Sequence, residues 1–507
     1  MKNRLLGAFA LCAAVFVANE AKAKTWEIAA PDGVGDVAAL TNALKRYVGG
    51  DKIALAPGTY DLRGIEMTSG RHLLTLGSYN ALTLYGTAGD ASKTILAGGG
   101  KDEGRGILRI GTGKLTCSNI TFRAGYSTSA GAAVADDGTN TARGSEFFNC
   151  IFASNYSTSN GGATQYGSYR NCVFIDNETT SSGGAMAYGK VYDSYFTNNV
   201  AKANGGAVWR VGPIVGCTFF NNQAKTEHGA AICQYGLSEN KLVSGCTVVS
   251  NACLGTNCYG MYGTDVITNC TFFGNWGAGV QGVASGNTPT IVDSTFEENR
   301  TETGGIVWGG TISRCVFRRN VCTGVNVGVL RKGSVCKNCL FDGNVSKGNQ
   351  LSSLADNGKF YNCTIANHTN NSARQKSVVG SGSKLVNTII YGTCPYDVNT
   401  KELPDVMSNC LWTVQNQNVA SDKVVGCKCV KDLRFLDAEN GNYRLTRRSP
   451  AFNAGWADTA YTNRFVGVLD LDKNPRVYEG DGPAKAIIDI GCYECQIPAP
   501  GLLMLVK

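Results

Sequence analysis

Six aromatic residues recur at intervals that suit the binding of an extended ligand. Tyr166, Tyr188, Tyr235, Tyr262 and Trp308 each stand immediately before a glycine, and Trp209 lies nearby in its own repeat. A row of aromatic faces can stack on successive sugar rings, each contact modest and the sum substantial. The same rings could instead form an internal stack that supports the fold. Side-chain parity around the preceding Gly-Gly-Ala segments is irregular, so both readings stay open.

Groups able to move protons are less organised. Hydrolysis of a glycoside calls for paired carboxylates, and metal chemistry for His, Cys or acidic ligands at fixed spacing. The acids Asp136, Asp137, Asp176, Glu178, Asp193, Glu297, Glu298 and Asp342 are scattered, mostly in turns, and His72, His228 and His368 are not at ligand spacing from one another. No catalytic residue, cofactor or metal is assigned. In a repetitive chain, however, a site can be assembled from residues one period apart that show no linear motif.

The elements that must carry these side chains are set by an internal repeat. Cys150-x-Phe152-x-x-Asn155 returns at Cys172/Phe174/Asn177, Ser194/Phe196/Asn199, Cys217/Phe219/Asn222 and Cys246/Val248/Asn251. It continues at Cys270/Phe272/Asn275, Ser294/Phe296/Asn299, Cys315/Phe317/Asn320 and Cys339/Phe341/Asn344, then fades at Cys363/Ile365 and Asn387/Ile389. Most steps are 22 to 24 residues, with extremes of 21 and 29. Units of that length cannot close a core alone, so they stack. Each holds short β-prone runs between Gly, Asn, Ser and Thr and lacks a helical window, which fits three short strands and three turns, one coil of a parallel β-helix. Alternation sends Cys172 and Phe174 inward together. Cys, Phe and Asn columns are therefore expected, with Asn at a corner that accepts a left-handed backbone.

Composition is consistent with a large folded core: 507 residues, 64 Gly, 11 Pro, 17% charged. Residues 1–23 read as a secretory signal, with Lys2 and Arg4, an apolar run from Leu5 to Ala18 and Ala21-Lys22-Ala23 as a cleavage site. Removing its three cations and one anion leaves +6 of the net +8, thinly spread, so no nucleic-acid partner is expected. No later apolar run is long enough for a transmembrane helix. Export would make disulfides the default for 21 cysteines. Serine nevertheless replaces cysteine twice in the ladder, at Ser194 and Ser294, so those positions ask for a small buried side chain and are expected to be reduced. Disulfide candidates lie elsewhere: Cys253 with Cys258, Cys394 with Cys410, and Cys427, Cys429, Cys492 and Cys495. The last four also have the CxC and CxxC form of a zinc site.

Trp26 to Ala30 reads as a strand, and Asp36 to Tyr47 has apolar residues at helical spacing, followed by a strand and Pro57-Gly58-Thr59-Tyr60. This entry resembles the cap of the pectin-lyase-like right-handed β-helix superfamily. Gly161-Gly-Ala163, Gly183-Gly-Ala185, Gly205-Gly-Ala207, Gly229-Ala-Ala231 and Gly304-Gly-Ile306 recur beside the Phe-x-x-Asn motif. Together the two motifs resemble the repeats of chlamydial polymorphic outer membrane proteins over about residues 145 to 345. Ser449-Pro-Ala-Phe-Asn-Ala-Gly455, Asp470 to Arg476 and Asp489 to Glu494 are similar to the C-terminal module called choice-of-anchor Q. Asp470, Asp472 and Asn474 alternate as in a calcium loop, but the Gly and distal Glu are missing, and a hydrogen-bonded turn is expected.

These resemblances imply an all-β, right-handed parallel β-helix solenoid with an N-terminal capping helix. The expected organisation is a signal peptide over 1–23, cap and first coil over 24–62, coils over 63–395 and a C-terminal module over 396–507. The function implied is that of a secreted or cell-surface adhesin-like protein, binding a polysaccharide or cell-surface glycan without chemistry. The alternative is a lyase or hydrolase of the superfamily, whose lyases use an Arg or Lys base beside calcium-holding acids. An Arg or Lys converging with acids in an outer groove would favour the alternative.

Overall fold

The computed structural model describes residues 23–65, 72–76, 81–136, 144–255, 259–277, 280–281, 288–302, 305–324, 328–331, 333–347, 354–355, 357–370, 378–380, 382–393, 405–414, 422–455, 469–476 and 488–496. Residues 1–22 of the signal, Cys258 and Cys394 lie outside them.

One coil shows the plan. Ser168–Arg170 forms the first strand, Val173–Ile175 the second, Glu178–Thr179 a third and Met186–Ala187 a fourth. Each pairs in parallel with the strand one coil earlier and one coil later, as in Ile151↔Val173↔Tyr195. Repetition builds long parallel sheets. The first runs from Thr25–Ile28 to Val424–Val425, the second from Gly58–Asp61 to Lys428–Cys429, and the fourth from His72–Leu76 to Leu330–Arg331. The third is a narrow strip in two pieces linked through Trp276. The fold is a right-handed parallel β-helix, the hand expected of parallel crossovers.

The interior follows the alternation read from the sequence. Phe122, Phe152, Phe174, Phe196 and Phe219 stack with centroids 4.6 to 5.2 Å apart. Val248 interrupts the column, which resumes at Phe272, Phe296, Phe317 and Phe341. Beside it the Asn side chains form one unbroken chain. Each amide from Asn155 to Asn320 donates to the Oδ1 of the next, at 2.9 to 3.1 Å, ending at Asn344. The same Oδ1 atoms accept backbone N–H groups, so every corner is satisfied inside the coil.

One expectation is corrected here. The ladder Asn is not the left-handed residue; the residue before it is, as at Asp176 (φ 54°) and Asn198 (φ 55°). The buried Asn must aim its amide inward, and the strained backbone falls to its exposed neighbour. A second left-handed corner precedes each ladder Cys or Ser, at Asn149, Asn171 and Asp193 for example. The Gly-Gly-Ala turn has a steric cause as well. Gly161 takes φ 72°, and a Cβ on Gly162 would collide with the Gly184 carbonyl of the next coil.

The ladder cysteines Cys150, Cys172, Cys217, Cys246, Cys270, Cys315, Cys339 and Cys363 are buried free thiols. Cys410 is another, in the same column and next to Cys427, rather than the partner of Cys394. Cys427, Cys429 and Cys492 are also free, so the terminal disulfide reading fails for these three. Among the described residues no three His, Cys, Asp or Glu side chains converge as metal ligands.

Both ends are covered. At the start, Asp36 caps the helix Val37–Arg46 by accepting from the Ala39 N–H at 2.8 Å, and Leu40, Ala43 and Leu44 are buried against the first coils. At the other end, residues 433–455, 469–476 and 488–496 fold back over the outer face of the second sheet. Leu433, Leu445, Ala451 and Ile490 pack on Ile389 and Leu411, while Tyr443, Cys492 and Tyr493 pack on Leu340 and Ala366. Asp470 to Asn474 closes as a hydrogen-bonded turn, Asp470 Oδ1 accepting from the Asn474 N–H at 2.7 Å. No helix of the described residues is long and apolar enough to cross a membrane.

Candidate functional site

The six aromatic residues all belong to the fourth sheet or the turn that leaves it, but they do not share one register. Pairing gives the column Ala187↔Trp209↔Cys233↔Tyr262↔Gln281↔Trp308↔Arg331. Trp209, Tyr262 and Trp308 thus occupy every second rung, roughly 9.6 Å apart at 4.8 Å per coil. Tyr166 and Tyr188 come one position later, in left-handed conformation at φ 60°, and Tyr235 two positions after Cys233. The single column expected from sequence therefore splits into parallel rows. The strand register after Gly-Gly-Ala is constant, and the aromatic itself falls zero, one or two positions beyond it.

Inward neighbours settle the facing. Val208, Ile232, Met261 and Val307 are buried, so the next residue of each strand points out. Trp209, Trp308, Tyr166 and Tyr188 are half-buried, Tyr235 is 48% exposed, and Tyr262 is reduced to 7% by its neighbours. Tyr166 stacks on Tyr188 at 4.7 Å, and Tyr188 meets Trp209 edge-on at 5.2 Å. Tyr262 is covered by Tyr235, Tyr259 and His228, at 5.2, 5.8 and 4.4 Å. Burial lowers the His228 pKa, keeping its imidazole neutral at pH 7, and Nδ1 has no hydrogen-bond partner among the described residues.

Sequence reasoning missed two arginines. The Arg210 guanidinium lies 4.4 Å from the Trp209 ring centroid and donates to the Tyr235 carbonyl, and Arg331 lies 4.3 Å from that of Trp308. A signal existed for both: Arg210 adjoins Trp209, and Arg331 follows Trp308 by one period. The face therefore presents two Trp rings, each with a guanidinium over it. Such a surface can stack on sugar rings and donate hydrogen bonds to hydroxyl or carboxylate oxygens.

Charged groups do converge elsewhere. Where the C-terminal hairpin Phe435–Asp437 and Asn442–Leu445 meets the second sheet, Arg318, Arg319, Asp342, Asn367, Glu439 and Tyr443 line a cavity of about 280 Å³. The Tyr443 hydroxyl donates to Asp342 at 2.7 Å, Arg318 Nε to the other Asp342 oxygen at 3.2 Å, and Asn367 to the Tyr443 oxygen at 2.9 Å. Arg319 is held by Glu297 and Glu298. Burial, then the bond to Asp342, pushes the Tyr443 pKa up, so the phenol keeps its proton. Acids and bases here neutralise one another and hold the C-terminal segment in place.

Comparison with known families gives one match. Residues 193–209 fit the Chlamydia polymorphic membrane protein repeat. The matched stretch holds Ser194, Phe196, Asn199 and Gly205-Gly206-Ala207, one copy of both motifs. Among curated protein sequences none matches. Solved structures of similar shape include a PL6 family alginate lyase, 14% identical with a TM-score of 0.29, the likeness covering 90% of this chain and 60% of that one. Another is a mannuronic acid specific polysaccharide family 6 lyase from human gut microbiota, at 12% and 0.35, covering 82% and 93%. A third is tailspike protein 3 of bacteriophage CBA120, at 15% and 0.24, covering 78% and 59%.

Proposed function

We propose that this is a secreted or cell-surface bacterial β-helix protein, adhesin-like, that binds an extended polysaccharide or cell-surface glycan along its fourth sheet without transforming it. The observation that carries the reading is the outward column Trp209, Tyr262, Trp308 with Arg210 and Arg331 laid on its two half-buried Trp rings. Its rungs repeat along the axis as the units of an extended glycan do, and several weak contacts in series give useful affinity. In the same reading residues 1–23 are the export signal, 24–62 the cap and first coil, 63–395 the coils and 396–507 a C-terminal module similar to choice-of-anchor Q.

A second reading, cleavage of a polysaccharide, draws on the charged cavity at Arg318, Asp342 and Tyr443. One experiment separates the two. The mature protein is run on a glycan array while reducing-sugar release and the absorbance of unsaturated products are followed on the same glycans. Binding without release is expected. Changing Trp209 and Trp308 together to Ala should weaken retention about tenfold or more, with thermal stability nearly unchanged. Lost stability with intact binding would make the rings structural and end the glycan reading of this face. Product release abolished by Arg318→Met would favour the enzyme.

A further inference from the structure

The second sheet is covered by the C-terminal segment at one end and, among the described residues, uncovered at the other. Between Arg123 and Glu297 its outward positions, from Ile151 to Phe273, carry no charged residue over six successive coils. That is unusual for a water-facing surface in a chain with 17% charged residues. Tyr195, Phe220 and Phe273 are 38%, 41% and 38% exposed on this face. The strip continues the columns that, further along, accept Tyr443, Ile490 and Tyr493. It has the character of an interface.

We infer that this strip is an isologous docking face for a second copy of the chain, packed with the two solenoid axes antiparallel. The ends of the strip carry opposite charges. Arg123 is exposed at one end, and Glu297, held by Arg319, stands in the same register column at the other. A two-fold axis lying in the face, parallel to the strands, sets Arg123 of each copy against Glu297 of the other. The same operation opposes large and small side chains. In that column Ala153 meets Phe273, and Thr197, sunk to 7% exposure, meets Phe220. In the neighbouring outward column Tyr195 meets Thr218, and the apolar half that starts at Ile151 meets the threonine half that ends at Thr271. One half of the strip is thus shaped and charged to fit the other, as a closed two-fold contact requires.

The strip is roughly 29 Å long at 4.8 Å per coil and a few residues wide, well below the ~800 Å² per partner of a standard stable interface. A reversible dimer that forms with concentration is therefore expected. Sedimentation equilibrium of the mature chain over a wide concentration range tests it. The wild type should shift from monomer to dimer. Phe220→Lys and Arg123→Glu should each weaken the dimer about tenfold or more, and Arg123→Glu combined with Glu297→Arg should restore it, thermal melting showing each variant folded. A monomer at every concentration, or a dimer indifferent to all three variants, overturns the inference. So does a monomer in which Phe220→Lys instead lowers retention on a glycan, which would give the strip to a sugar.

Discussion

The guanidinium of Arg476 lies 3.1 Å from the carboxylate of Glu494, with 1% and 3% of the two side chains exposed. Arg476 also donates to Asn338 Oδ1 at 2.9 and 3.0 Å and to the Gly491 carbonyl. Glu494 in turn accepts the Asp489 N–H. Asn338 is a left-handed corner of a coil, so the pair locks the C-terminal segment to the solenoid through residues that also turn the chain. Removing Arg476 would leave the buried oxygens of Asn338, Gly491 and Glu494 without their donor.

Arg476→Met should accordingly destabilise the docked segment by several kcal/mol, at about 1–3 kcal/mol for each acceptor left unsatisfied. The coils have their own stack of contacts, so detachment should precede their unfolding. Limited proteolysis is expected to cut between residues 433 and 496 first, while the circular dichroism of the sheets persists. A variant with unchanged cleavage and melting would show that the pair does not hold the segment.

The pH dependence of the same joint has a definite sign. Burial pushes the Glu494 carboxyl up to about 8 from 4.5, with Arg476 opposing the rise. A folded pKa above the unfolded one means that the folded state binds the proton more tightly. Its contribution, up to roughly 5 kcal/mol, is complete below pH 4.5 and is lost as pH rises through 8. Asp470, raised by its own burial, acts in the same direction. Melting of the segment should fall across this window, and Glu494→Gln should flatten the fall. An identical slope in the variant would assign the titration elsewhere.

Phe196 is fully buried between Phe174 and Phe219, at 4.6 and 4.8 Å. Phe196→Ala should cost about 3–5 kcal/mol in chemical denaturation, whereas Phe196→Val should cost less, since Val248 already occupies one rung. Equal losses would mean that the gap at Val248 is not tolerated by the stack but compensated elsewhere.

Asn222 donates to Asn251 and accepts from Asn199 within the amide chain. Asn222→Ala leaves the Asn199 amide and the Asn199 N–H without their acceptor, and about 1–3 kcal/mol should be lost for each buried group unsatisfied. Asn155→Ala, at the start of the chain, leaves only the Gly125 N–H without its acceptor and should cost less. Comparable melting of the two variants would speak against the chain acting as a connected unit.

Burial pushes the Cys172, Cys315 and Cys363 thiols well above their ordinary range. They should resist a thiol reagent in the native protein and titrate once unfolded, and Cys217→Ser should melt close to wild type because Ser194 and Ser294 fill the same column. Mass mapping that found the ladder joined in pairs would contradict its reduced state.

The coil period, the Phe and Asn columns and the small ladder position were legible because stacking forces residues one period apart into the same environment. Cys410 was misread because Thr388 stands between it and Cys363, hiding its place in the ladder. The left-handed corner was misplaced by one residue, since a pattern of Asn does not reveal which of two adjacent residues aims inward. The aromatic rows were legible as a recurrence but not as a register. The joint at Arg476 was not legible at all: its partner Asn338 lies 138 residues away, and no period connects them.

In a stack of coils a pull on the chain ends needs to break only one rung at a time, so such a molecule peels from whichever terminus is weaker. The C-terminal segment changes this by gripping several coils at once, from Asp342 and Asn338 through Asn362 to Ile389 and Leu411. Those coils must share any load instead of meeting it in turn. Among the described residues the N-terminal end has one short helix across it and no comparable strap. Tension along the axis should therefore begin its damage there, leaving the strapped coils to yield last.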